Sequence, residues 1–184
     1  MRTKEIRLRT FEELSKEEQD KVIEKNYNIN TELDWYEGLD EGWVEDLAEK
    51  DIGATQDHFT FSLDRGANFG VDSEVFKDHI SQKYPTEVLE IETSQKIGYF
   101  HQEFPSDCWK KTYGFKLFFE DDISKSKQAE IQKYATEIFE FLTDFAEKSF
   151  DGLQKHFQYL MSEESIKETI IANEYEFNDD LEID

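Results

Sequence analysis

Between Ser124 and Met161 the sequence carries its longest uninterrupted amphipathic pattern. Apolar residues fall at Ile131, Tyr134, Ile138, Phe141, Leu142, Phe145, Leu153, Phe157 and Leu160, mostly three or four apart, which places them on one face of a helix. At 1.5 Å per residue such a helix runs about 55 Å, longer than a small domain is wide, so the rest of the chain has to cover the stripe. Asp151-Gly152 is the place where a bend costs least.

The expected fold class is α+β: an antiparallel sheet of about four or five strands packed on this long C-terminal helix, with helices at the N-terminal end. Length supports one domain over 1–177 followed by an acidic tail, 178–184. The apolar fraction of 37% is low and 44 acids against 21 bases give a net charge of −23, a balance that by itself points to disorder. Against it stand 16 Phe, 8 Tyr and 3 Trp, with only 2 Pro and 8 Gly, so large rings are available to bury and chain breakers are few. The reading is a folded protein with an acidic surface.

Along the chain, Lys4 to Thr10 alternates as a short basic strand or arm, and Ser15 with Glu18 three residues on forms a capping box for a first helix ending near Asn26 to Asn30. Thr31 to Lys50 reads as a second helix from Tyr36, Leu39, Trp43 and Leu47, although Gly38 and Gly42 weaken it. Like charges at i,i+4, such as Glu37/Glu41 and Glu41/Glu45, also work against it.

From Asp57 the period changes to two, with a hairpin turning at Asp64 to Ala67. Ser73 caps a helix that stops before Pro85, and three more strand candidates, Thr86 to Glu92, Lys96 to Glu103 and Lys111 to Glu120, complete a meander. Ser162 caps a last helix running to Asn173. Glu174 to Phe177 is a short strand, and the tail beyond is expected to fray.

No residue constellation identifies a reaction. His58, His79, His101 and His156 lack zinc spacing, Cys108 stands alone, and the acids of Asp34 to Asp46 lack a calcium-loop pattern, so neither metal nor cofactor is expected. Cys108 and Ser62 have no nucleophile signature, and a half-buried thiol and a strand hydroxyl are their commoner roles. Asp64-Arg65 at the hairpin tip is the one charged pair that a small enzyme would use, against the plainer reading of a turn.

The lone cysteine precludes an internal disulfide, and an N-terminal stretch without an apolar core fits a soluble cytoplasmic protein. The negative charge repels nucleic acid and anionic membranes and attracts basic protein surfaces. Trp43 is expected in the core with Phe141, whereas Trp35 lies off the stripe as a contact residue.

Phe11-Glu12-Glu13-Leu14-Ser15, Ile29-Asn30-Thr31-Glu32-Leu33-Asp34-Trp35-Tyr36-Glu37 and Phe61-Ser62-Leu63-Asp64-Arg65-Gly66 together resemble a family of small phage and prophage proteins, some labelled antitoxin-like. Tyr159 to Ile166 and Ala172 to Phe177 resemble its C-terminal end, while 71–134 has no counterpart. The resemblance implies a mobile-element origin and supplies no catalytic residues.

Charge and origin together lead to an expected function: not an enzyme but an anti-defence inhibitor of the anti-CRISPR type, docking on the basic nucleic-acid-binding surface of a host protein. The contact residues would be Glu32, Asp34, Trp35, Glu37, Glu41, Glu45, Asp64 and Arg65. Duplex DNA presents a charge about every 1.7 Å of axis, and i,i+4 carboxylates lie about 5 to 6 Å apart. One helix is therefore too sparse, and the acidic C-terminal segment was the expected second rail. The alternatives are an antitoxin neutralising a basic toxin and a small enzyme of unknown reaction.

Overall fold

The computed structural model describes residues 8–32, 35–36, 38–63, 67–100 and 114–183, with the side chains of Tyr99 and Phe100 left aside. The fold is α+β. The single domain expected over 1–177 is organised as two compact units, one formed by Met1–Trp35 with Lys155–Asp184 and a larger one by Tyr36–Gln154.

In the smaller unit β1 (Arg9–Thr10) leads into α1 (Lys16–Lys25) through the expected capping box: Ser15 N–H donates to Glu18 Oε2 at 2.8 Å while Glu18 N–H donates to Ser15 Oγ at 3.4 Å. Ser162 caps α5 (Glu163–Ala172), also as expected, by accepting from Ser165 N–H. The chain then forms β7 (Glu176–Phe177), antiparallel to β1. Phe11, Leu14, Val22, Ile23, Ile166, Ile170 and Phe177 make the core between these elements.

The tail does not fray. Leu181 packs against that core, Ile183 bridges to Phe177, and Lys25 Nζ donates to the Asp180 carbonyl at 2.7 Å. Asn178 Oδ1 closes the turn by accepting from Asp180 and Glu182 N–H. Backbone groups, rather than the acidic side chains that dominate the tail's composition, hold it in place.

In the larger unit the hairpin of β2 (Phe59–Ser62) and β3 (Asn68–Asp72) forms as expected, with its tip outside the described residues. The meander does not. α3 (Ser73–Lys83) separates β3 from β4 (Val88–Thr93), and β5 (Lys96–Phe100) returns to pair with β3. β4 pairs instead with β6 (Phe115–Phe119), so the five strands divide into β2-β3-β5 and β4-β6.

Gly98, opposite Gly70, explains the tight join of β3 to β5: a Cβ there would fall on the carbonyl of Phe69 and 2.7 Å from the Gly70 Cα. Capping of α3 also differs from expectation. Asp72 accepts from Glu74 N–H, while Ser73 is a buried first-turn residue whose N–H bonds Gln95 O.

The long helix α4 (Lys125–Leu160) runs as one helix through Asp151-Gly152, the place where a bend would cost least. Phe150 and Leu153, each about 1% exposed, are seated on either side of the glycine, and their burial outweighs a propensity loss of about 1 kcal/mol. Its buried stripe runs through Ile131, Ala135, Phe139, Leu142, Phe145, Ala146, Ser149, Phe150 and Leu153. Phe141, expected in the core, is only half-buried. Large apolar residues alone misplace the centre of such a stripe, because Ala135 and Ala146 occupy its closest approaches.

Candidate interaction surface

Helix α2 (Leu39–Ala48) carries two of the expected contact residues, Glu41 and Glu45. It starts eight residues later than the 3.6-residue pattern from Thr31 implied. Residues 26–32 are consecutive turns, tied by Ile29 N–H to Asn26 O and Thr31 N–H to Asn28 O, and the helix is preceded by Gly38 at φ 85, a left-handed conformation that suits glycine. Trp43 and Leu47 are its buried residues.

The indole of Trp43 sits 4.7 Å from Phe69, 5.5 Å from Phe59 and 5.8 Å from Phe61, all edge-on, while Phe69 and Phe59 reach Phe145 of α4 at 6.3 and 6.2 Å. Edge-to-face rings of this kind add about 0.5–1.5 kcal/mol per pair to area burial. The expectation that Trp43 is a core residue is met.

With Trp43 turned inward, Glu41, Glu45, Asp46 and Glu49 face solvent. Glu41, Glu45 and Glu49 form one i,i+4 ridge. Some carboxylates elsewhere have cationic neighbours, Glu17 and Asp20 on α1, Glu74 on α3, Glu92 on β4, Glu130 and Glu137 on α4, whereas others, such as the exposed i,i+4 pair Glu140 and Asp144 on α4, have no ion pair among the described residues. No ion pair among the described residues reaches the α2 ridge.

Two further costs fall on the same helix. No side chain caps its N-terminus, and no basic residue lies in its last turn, where the partial negative charge of the helix end meets Glu45 and Asp46. Glu49, which the expected contact set omits, extends the ridge by one i+4 step, a spacing readable in the sequence.

Of the other expected contact residues, two are described. Glu32 and Trp35 belong to the smaller unit, where Glu32 is exposed and accepts from Asn28 Nδ2 at 2.8 Å. Trp35 is half-buried, 5.1 Å from the ring of Phe157 and stacked on His156 at 6.1 Å. Asp34, Glu37, Asp64 and Arg65 lie outside the described residues. The two acidic rails fall in different units: α2 in the larger, and α5 with the tail in the smaller.

Among the described residues no group of three His, Cys, Asp or Glu is placed to hold a metal ion. No described helix is long and apolar enough to cross a membrane. A surface depression of about 490 Å³ in the smaller unit is lined by Lys21, Glu24, Lys25, Asp179, Asp180 and Leu181, alternating charges of which Lys21 is paired with Glu17 and Lys25 bonds a backbone carbonyl.

The described residues thus present an acidic ridge on a helix held by its tertiary contacts. No protein-family model, no curated protein and no solved structure matches the chain.

Proposed function

We propose that this protein is a binding protein, not an enzyme, that docks the outer face of α2 on a basic surface of a host protein. The observation that supports this most directly is the ridge Glu41-Glu45-Glu49, three aligned carboxylates that meet no cation among the described residues although each like-charge i,i+4 pair costs the helix about 0.2–0.5 kcal/mol. A feature that opposes local stability is retained for another reason, and a basic partner supplies one.

The resemblance of both chain ends to phage and prophage proteins adds the setting. The protein acts in the host cytoplasm as an anti-defence inhibitor of the anti-CRISPR type, and the basic surface is a nucleic-acid channel. Such docking excludes nucleic acid by occupying the cationic groups that hold its phosphates.

The test is a pulldown from host lysate followed by competition between this protein and DNA or RNA for the captured partner. Affinity should fall steeply with salt, because the screening length drops from about 8 Å in physiological salt to about 3 Å at 1 M. Reversal of Glu41, Glu45 and Glu49 to Lys should weaken binding far more than reversal of Glu74 and Asp78 on α3. Salt-independent binding, or equal affinity for the α2-reversed protein and the wild type, would reject the reading. Capture of a toxic enzyme that holds no nucleic acid would replace it by the antitoxin reading.

A further inference from the structure

Tyr159, in the last turn of α4, belongs to the smaller unit and is 51% exposed. An exposed tyrosine is usually mobile, but this one is tied down: its hydroxyl donates to Glu168 Oε2 of α5 at 3.2 Å. Glu164 stands one turn before Glu168 and Ile171 one turn after it, so the three share the outer face of α5, opposite the buried Ile166 and Ile170. All three are exposed, Ile171 to 39%. An aromatic ring and an aliphatic side chain are thus held in the open beside two carboxylates.

What fits there follows from charge. The hydrogen bond and charge of Glu168, followed by loss of hydration and the charge of Glu164, raise the Tyr159 pKa above its ordinary 10, so the hydroxyl remains a donor at neutral pH. No basic residue lies in the last turn of α5, and the partial negative charge of the helix end adds to that of the acids. Lys167, exposed on the flank of the same face, is the one cation of the helix and makes no ion pair with them among the described residues.

Three other rings show how the protein itself covers an aromatic face with a cation. Lys83 Nζ lies 3.7 Å above the centre of Tyr134, Lys116 Nζ 4.2 Å above Phe118 and Lys127 Nζ 5.5 Å above Tyr84. Among the described residues no cation takes that place on Tyr159. A second copy of the chain is a poor occupant, since it brings the same acids and a net charge of −23 to the contact.

We propose that Tyr159, Glu164, Glu168 and Ile171 form a docking surface for an arginine-bearing segment of a partner protein. The guanidinium lies flat on the Tyr159 ring with its N–H edge turned to the two carboxylates, and an apolar neighbour of that arginine covers Ile171. Arginine fits better than lysine because its planar group stacks and donates at once and is more weakly hydrated than an ammonium. The surface belongs to the unit that does not contain α2, and it stands whether or not the α2 ridge binds a partner.

An amide NMR titration of the whole chain tests it. The probe is a blocked peptide carrying arginine and leucine one helical turn apart, compared with the same peptide holding lysine, or uncharged citrulline, in place of arginine. The arginine peptide should shift the amides of Tyr159, Glu164, Glu168 and Ile171 saturably, with lysine binding several-fold more weakly and citrulline about tenfold or more. Tyr159→Leu, which keeps an apolar side chain but removes the ring, should weaken the arginine peptide about three- to thirtyfold. Reversal of Glu41, Glu45 and Glu49 to Lys should leave its affinity within about twofold at physiological salt, where charges beyond about 8 Å are screened, so this surface and the α2 reading fail separately. Should Tyr159→Leu not fold, Glu168→Gln decides, with a loss of about tenfold expected. Equal affinity for the arginine peptide and either analogue, full affinity in Tyr159→Leu or Glu168→Gln, or shifts that follow α2 instead would overturn the proposal.

Discussion

α1 and α2 are both ten residues long, and they are held by opposite means. α1 carries a reciprocal cap, acids in its first turn, Lys25 in its last, and i,i+4 pairs of Lys16 with Asp20 and Lys21 with Glu17. Each local rule of helix stability is obeyed, and Arg9 adds a bond to Glu18 at 2.9 Å. α2 starts from a left-handed glycine, has no side-chain cap, ends in acids and carries a carboxylate ridge without an ion pair among the described residues. What holds it is one indole against the rings of Phe59, Phe61 and Phe69 and a C-terminal joint through His79. A helix whose surface need not serve its own stability has a surface available for a partner.

Removing the indole is the most direct way to break this contrast. Trp43→Ala should cost about 3–5 kcal/mol in a denaturant melt, the usual range for emptying a packed aromatic site. A loss near 1 kcal/mol or less would mean that α2 is not held by its ring packing. Removing the cap of α1 is the counterpart, and Ser15→Ala should cost about 0.5–2 kcal/mol. Loss of α1 helicity with α2 and its tryptophan signal intact would sharpen the difference between a helix specified locally and one specified by its neighbours.

Charge in the last turn of α2 supplies a smaller effect of opposite sign. Glu49→Lys creates an i,i+4 pair with Glu45 and complements the helix end, so it should raise stability by up to about 1 kcal/mol while weakening partner binding. If stability rises and binding does not change, the ridge is not the contact surface.

The least disruptive probe is pH. The Glu18 carboxyl is lowered from 4.5 to about 2 by the backbone N–H and the hydroxyl of Ser15 and then by Arg9. Its depressed value means that the charged form stabilises the fold above 4.5, and that this contribution is lost as pH falls toward 2. The stability difference between wild type and Glu18→Gln, followed by α1 helicity, should therefore vanish across that window, and a difference unchanged down to pH 2 would contradict it.

Much of the molecule was legible because the forces that decide it act over a few residues. The Ser15–Glu18 box, the Ser162 cap and the amphipathic length of α4 are relations at three or four positions. The alternation in β2 and β3 records which side chains share a face. Where such signals failed, a distant partner had overridden them. Tyr36 matches the helical period of α2 yet lies outside the helix, which begins at Leu39 after the left-handed Gly38. Gly152 sits within a helix because Phe150 and Leu153 are seated on either side of it. The ring neighbours of Trp35, His156 and Phe157, likewise lie far along the chain, where no local period could show them.

The amino-acid sequence alone therefore determined the α+β class, the extent of α4, the hairpin, the caps of α1 and α5, and a net charge of −23. Tertiary structure decided that β5 joins β3 and β4 joins β6, that the tail folds onto the smaller unit's core, and which carboxylates stay without cations. Periodicity reports which way a side chain points, but strand partners and charge neighbours come from residues far apart in the chain. Those are settled only when burial, as at Gly98, Trp43 and His79, selects among alternatives that look equal locally.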